Sequence, residues 1–141
     1  MLKYSNCINK GGMGMKKIII AALAVLILFG CSQALDESFN EEELLQESTL
    51  VVEHLSEGDY EEITETVSKE LQTALSKEVL ESAWAPLGEK LGNYKGVSKT
   101  KVIGNKDKSA TVILLADYEK GKMQLTVTYN EEMEIIGLYV K

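Results

Sequence analysis

Arginine is absent from this 141-residue chain, and proline, histidine and tryptophan occur once each. Without guanidinium groups the chain lacks the bidentate contacts that grip phosphates and base edges, and its formal charge is −7, so a nucleic-acid partner is excluded. One proline excludes a proline-rich linker, and two cysteines with one histidine exclude a disulfide scaffold and a His/Cys zinc module. No G-x-S-x-G elbow, H-E-x-x-H helix, Walker loop, C-x-x-C pair or EF-hand loop occurs. Ser98-Lys-Thr-Lys101 matches the S-x-x-K spacing. A serine nucleophile of that class needs a helix start, whereas strand alternation here would send Ser98 and Lys101 to opposite faces. His54 has no companion ligand and falls near a helix end, where an imidazolium meets the negative end of the dipole. Glu57, Asp59, Glu61 and Glu62 surround Gly58 without the spacing of a calcium loop, and acids at a helix start account for them. The expectation is a protein with no catalytic residue, no cofactor and no metal site.

Long hydrophobic runs are also scarce, and the one present is informative. Residues 18–29 are apolar, follow Lys16 and Lys17, and end at Gly30 and Cys31. Twelve residues are too few for a permanent span, which needs about 20, so the run reads as the core of a cleavable leader. Leu28-Phe29-Gly30-Cys31 resembles the bacterial lipobox, in which a cysteine after a small residue is diacylated before the leader is cut away. Phe29 departs from the small or β-branched residue usual at its position. Cleavage is expected between Gly30 and Cys31 and lipidation on Cys31, with two acyl chains sufficient for stable anchoring. Lys10-Gly11-Gly12 can be encoded as AAAGGAGGA, a ribosome-binding sequence placed a few nucleotides before Met15. Residues 1–14 are therefore expected to be untranslated leader read in frame, with 15–30 the signal peptide, 31–39 a lipidated tether and 40–141 the domain. Cys7 then disappears, and no disulfide can form.

Four of the 15 lysines and none of the 22 acids precede Cys31, leaving 11 lysines against 22 acids, a net −11. Residues 32–89 hold 16 acids and two lysines, whereas 90–141 hold nine lysines and six acids. The domain is electrically two-sided, with an acidic helical half and a mildly basic strand half. Acid runs of this kind are solvated faces.

Asn40 followed by Glu43 forms a capping box, and Phe39 with Leu44 a hydrophobic staple, so a helix starts there and stops at Gly58. Leu44, Leu45, Val51, Val52 and Leu55 share its apolar face. Asp59 with Glu62 repeats the capping pattern for a second helix through Ile63 and Val67, with Leu71 and Leu75 continuing a short apolar rhythm. Ser76 caps a third, whose stripe is Val79, Leu80, Ala83, Trp84, Leu87 and Leu91, with a kink expected at Pro86. From Tyr94 the period becomes two. Met123, Leu125, Val127 and Tyr129 alternate with Lys122, Gln124, Thr126 and Thr128, giving a half-buried strand. Residues 110–118 and 133–140 are apolar on both sides and read as central or doubly covered. Residues 96–104 form an edge strand whose Lys99 and Lys101 discourage aggregation. Short turns make the four strands an antiparallel meander, and the fold class is α+β: three N-terminal helices on a curved four-stranded sheet.

The stretch from His54 to Ile63, His-Leu-Ser-Glu-Gly-Asp-Tyr-Glu-Glu-Ile, then Leu80 to Trp84, Leu91-Gly92 and the closing Ile135-Ile136-Gly-Leu138, resembles the bacterial domain-of-unknown-function family catalogued as 3887. The resemblance implies a cone-shaped, nuclear-transport-factor-two-like fold and an accessory rather than catalytic role. If the cone is open, its pocket is expected between Trp84 and the sheet, lined by Tyr118, Met123, Leu125, Val127, Tyr129 and Tyr139, and suited to a small apolar or aromatic ligand. The other expected surface is a patch of Lys95, Lys99 and Lys101 for an envelope protein partner or an anionic surface. Together the residues suggest a membrane-anchored extracytoplasmic lipoprotein with a non-catalytic binding or interaction domain.

Overall fold

Asn40 adopts an extended backbone, and its side-chain oxygen accepts the Glu43 N–H at 3.1 Å. Helix α1, Glu41–Glu57, therefore starts where the capping box requires, with Phe39 and Leu44 both buried as the staple. It ends at Gly58, whose φ of 82° is left-handed, with the Asp59 N–H bonded back to the His54 carbonyl at 2.8 Å. The computed structural model describes residues 34–141. The residues questioned as translated (1–14), the leader and the Gly30–Cys31 junction lie outside the described residues. Among the described residues no helix is long and apolar enough to cross a membrane.

Helix α2 is short, Tyr60–Thr66, and Asp59 makes no side-chain capping bond, contrary to the expected box. Its carboxylate lies instead 4.0 Å from His54 Nδ1. The helix stops at Val67 because that residue turns extended and bridges Ile135 in parallel, with the Ser68 N–H bonded to the Ile135 carbonyl at 2.9 Å. Leu71 and Leu75 follow in turns and pack from the side as half-buried residues rather than prolonging the helix. Helix α3, Lys77–Leu91, is capped by Ser76, which accepts the Val79 N–H at 3.3 Å. Leu80, Trp84 and Leu91 are buried and Leu87 is partly so, but Val79 and Ala83 are exposed. The expected stripe is thus narrower, and Pro86 sits on the exposed side, where water can replace the N–H it lacks.

Four strands follow in a meander with spatial order β1-β2-β3-β4: β1 Tyr94–Gly104, β2 Ala110–Tyr118, β3 Gly121–Tyr129 and β4 Ile135–Val140. All neighbours are antiparallel. Ala110, Val112, Leu114, Ala116 and Tyr118 of β2 and Met123, Leu125, Val127 and Tyr129 of β3 are buried against the helices, and the alternate residues form the opposite face. The fold is the expected α+β arrangement of three helices followed by a four-stranded antiparallel sheet. One reading of the strands changes. β2 is central, between β1 and β3, as expected, but β4 is neither central nor doubly covered, being an edge strand with Tyr139 63% exposed. What shields the start of β4 is the Val67 bridge.

The packed unit also begins earlier than the sequence indicated. Leu35 packs against the core, and the Phe39 N–H bonds to the Asp36 carbonyl at 3.1 Å, so residues 34–39 are part of the domain rather than a free tether. Ala34 crosses the end of β1 at Gly104, where an added Cβ would run into the Ala34 carbonyl.

Candidate functional site

Two surfaces stand apart from ordinary solvated exterior. The first is a cleft of about 180 Å³ where α1 meets α2 and the β3–β4 end of the sheet. Helix α1 contributes Glu47, Leu50, Val51 and His54, α2 contributes Glu62, Ile63 and Thr66, and Tyr129 and Met133 close it. The 3.6-residue period brings its α1 wall together: Glu47, Leu50, Val51 and His54 stand at positions i, i+3, i+4 and i+7 and project along one edge of α1. His54 is about a quarter exposed, yet its Nδ1 is buried and has no hydrogen-bond partner, the Asp59 carboxylate standing at 4.0 Å. Tyr129 closes the floor. Its hydroxyl accepts a hydrogen bond from Ser48 Oγ at 3.2 Å, and burial pushes the phenol up to about 12. The Ser48 bond pulls the other way and the nearby Glu47 charge adds to the rise. The volume falls below the ~300–1,000 Å³ of drug-sized ligand pockets, so the cleft suits a small polar group.

The second surface is the sheet face turned away from the helices. Cross-strand register sets out its rows: Lys101 pairs with Ile113, Ile113 with Thr126, and Thr126 with Tyr139. One row therefore runs about 14 Å across four strands, from an ammonium group to an exposed phenol. The next row runs Lys99, Leu115 and Gln124. A third carries Thr111 and Thr128, whose hydroxyls are 3.1 Å apart. Among the described residues no carboxylate pairs with Lys99 or Lys101, while Lys122 is held by Asp117 at 2.6 Å. The Lys122 bond, reinforced by Ser98, keeps the Asp117 carboxyl below the usual range.

The expected site residues separate between these surfaces and the core. Trp84, Tyr118, Met123, Leu125 and Val127 are at most 6% exposed and join one packed core, in which the Trp84 and Tyr118 rings lie 6.0 Å apart and Tyr94 and Tyr118 lie 5.6 Å apart. Tyr129 alone of the expected set borders the α1–α2 cleft. Tyr139 cannot share a pocket with Met123, Leu125 and Val127, because its partner Thr126 belongs to the opposite face of β3. The single-residue alternation that sends Met123 inward sends Tyr139 outward. Lys95, Lys99 and Lys101 are all exposed on β1, with Lys99 and Lys101 on the outer face.

The pairing of Ser98 with Lys101 also differs from simple alternation. A register shift between Val97 and Lys99 inserts Ser98 as an extra residue, and its hydroxyl reaches the outer-face Asp117 at 3.0 Å. Ser98 is thereby engaged as a strand-pairing group beside Asp117 rather than aimed at Lys101. Sequence reasoning missed the His54 cleft because its walls come from residues up to 86 positions apart, Glu47 to Met133, and only the helix spacing hinted at it.

Comparison with known proteins places the domain. A solved structure described as the NMR structure of a protein from Ruminococcus gnavus ATCC 29149 superposes with a TM-score of 0.65 at 28% identity, covering 77% of this chain and 96% of that one. No curated protein matches the chain. The family described as Protein of unknown function (DUF3887) matches residues 48–138. That span takes in the end of α1, both following helices and nearly the whole sheet, and the chain belongs to this family.

Proposed function

We propose that this protein is a lipoprotein, cleaved between Gly30 and Cys31 and held on the outer face of the cytoplasmic membrane by the lipid on Cys31. Its domain is a non-catalytic module that binds another envelope protein through the outer sheet face. The observation that carries the binding role is the row from Lys101 to Tyr139, an open sheet surface with cations at one edge and an exposed aromatic ring at the other. Aromatic groups and flat β surfaces supply contact area at low entropic cost, and unpaired lysines at the rim select a partner bearing carboxylates. The acidic helical side, with Glu41, Glu42 and Glu43 in its first turn, repels such a partner and so helps fix which face it meets. The nuclear-transport-factor-two-like relation belongs to the same proposal, with helices on one side of a curved sheet and the other side left for association.

The test is photo-crosslinking in living cells from a benzophenone amino acid at position 139, with a matched probe at Glu57 on the helical side. The reading predicts a discrete adduct from position 139 that is lost when Lys99→Glu and Lys101→Glu are combined. Adducts of equal yield from both positions, unchanged by the charge reversals, would refute it.

A second reading rests on the α1–α2 cleft itself, where Glu47, His54, Glu62 and Thr66 give a polar lining that favours a small polar ligand. It replaces the expected apolar pocket, whose lining is packed. Ligand-induced shifts confined to His54, Thr66 and Tyr129 in an NMR fragment titration would support it, and a cleft that no fragment perturbs would remove it.

A further inference from the structure

The segment leading out of the domain toward Cys31 is not slack. Leu35 packs on the core, Asp36 accepts from both the backbone N–H and the hydroxyl of Ser38 at 3.0 and 2.8 Å, and Phe39 is buried. Ala34 lies over Gly104, so closely that only a glycine leaves room. The first packed residue is thus seated at the β1–β2 hairpin, and only Ser32 and Gln33 stand between it and Cys31. Three peptide links span at most about 11 Å, whatever conformation they take.

Resting on the lipoprotein reading above, we propose that the lipid on Cys31 imposes one orientation: the β1–β2 hairpin faces the phospholipid headgroups, and the β2–β3 turn points away. Strand β2 runs from Ala110, beside Gly104, to Tyr118, and its nine residues set the two turns about 26 Å apart. That separation is more than twice the reach of the leash, so the domain cannot invert without detaching Ala34 and Leu35 from their seats. The hairpin turn offers Lys106 and Lys108 to the headgroups, both exposed. Asp107 between them is satisfied by the hydroxyl and the N–H of Ser109 at 2.6 and 3.1 Å. Glu41, Glu42 and Glu43 open α1 close behind the same segment, so this end is not a cationic patch. The short covalent anchor sets the orientation, and charge adjusts it only slightly. A consequence is that the outer sheet face stands beside the membrane, open to a neighbour anchored in the same bilayer.

The experiment uses the full chain, expressed in its processed form, extracted from membranes and reconstituted into phosphatidylglycerol/phosphatidylcholine vesicles carrying a headgroup nitroxide. Single cysteines at Lys106→Cys and Lys120→Cys carry an environment-insensitive fluorophore. Quenching severalfold stronger at position 106 than at 120, preserved in high salt, is the expected result. Inserting an about twelve-residue Gly/Ser segment between Gln33 and Ala34 leaves the domain intact and is expected to collapse the difference. Equal quenching at both positions in vesicle-bound protein overturns the orientation while leaving the anchor standing. Protein that fails to float with the vesicles removes the lipoprotein reading and this inference with it.

Discussion

The hydroxyl pair joining α1 to β3 offers a sharp test of how the core is organised. Ser48 is fully buried, Tyr129 is 2% exposed, and the two oxygens lie 3.2 Å apart with no other partner for the phenol. In Ser48→Ala the phenol loses its donor inside the core, which costs about 1–3 kcal/mol. In Tyr129→Phe the serine can turn back to the carbonyl one helical turn earlier, so the loss is smaller, about 1 kcal/mol. The double variant removes both polar groups and is expected to cost less than the sum of the singles. The same pair has a pH signature. The unfolded phenol ionises near 10, whereas the folded one holds its proton to about 12, so stability is complete below pH 10 and drains as pH rises toward 12. Two pH units correspond to about 3 kcal/mol. Urea unfolding followed by Trp84 fluorescence at several pH values measures this directly. Wild type should lose about 2 kcal/mol more than Tyr129→Phe between pH 10 and 12, the rest of the about 3 kcal/mol falling just outside that window. Parallel decline of the two proteins would show that the phenol is not shielded from water and would refute the packing described for this end of the sheet.

Helix α1 depends on its ends. Asn40→Ala should cost about 1 kcal/mol through the lost bond to the Glu43 N–H, and Gly58→Ala about 1–2 kcal/mol through backbone strain at φ 82°, since an added Cβ meets nothing there; thermal denaturation checks both. Leu125→Ala, at a fully buried central position, should cost about 2–5 kcal/mol, read as a lower urea midpoint with an unchanged slope. Asp117 has its carboxyl held low by Lys122 and Ser98, so its contribution is present above the unfolded carboxylate range and is lost as pH falls through the folded value. Asp117→Asn should therefore flatten the acid side of the stability profile, and an acid limb identical to wild type would contradict that assignment.

Much of the fold was legible because local chemistry and tertiary packing agree. Asn40, Gly58, Ser76 and Gly92 mark helix ends by capping and backbone geometry, and the structure keeps all four. The two-residue period of β3 gave its buried face correctly, residue by residue. Discrepancies arose where a partner distant in sequence decides the outcome. Asp59 looks like a cap but faces His54, and α2 stops because Val67 pairs with Ile135, 68 positions away. Tyr139 was grouped with the core aromatics because composition cannot say which face an edge strand turns inward, and the register shift between Thr128 and Tyr129 settles that phase. The small His54 cleft was likewise invisible, since its walls come from separate elements, whereas the filled aromatic core is what a regularly spaced apolar stripe usually makes.

The anchoring claim underlies both the proposed partner surface and the orientation, and intact-mass spectrometry of the protein extracted from membranes reaches it most directly. The account predicts a mature chain beginning at Cys31, with the mass of a diacylglyceryl group on its sulfur and no peptide from residues 1–30. A chain that retains the leader with an unmodified Cys31 thiol would contradict it.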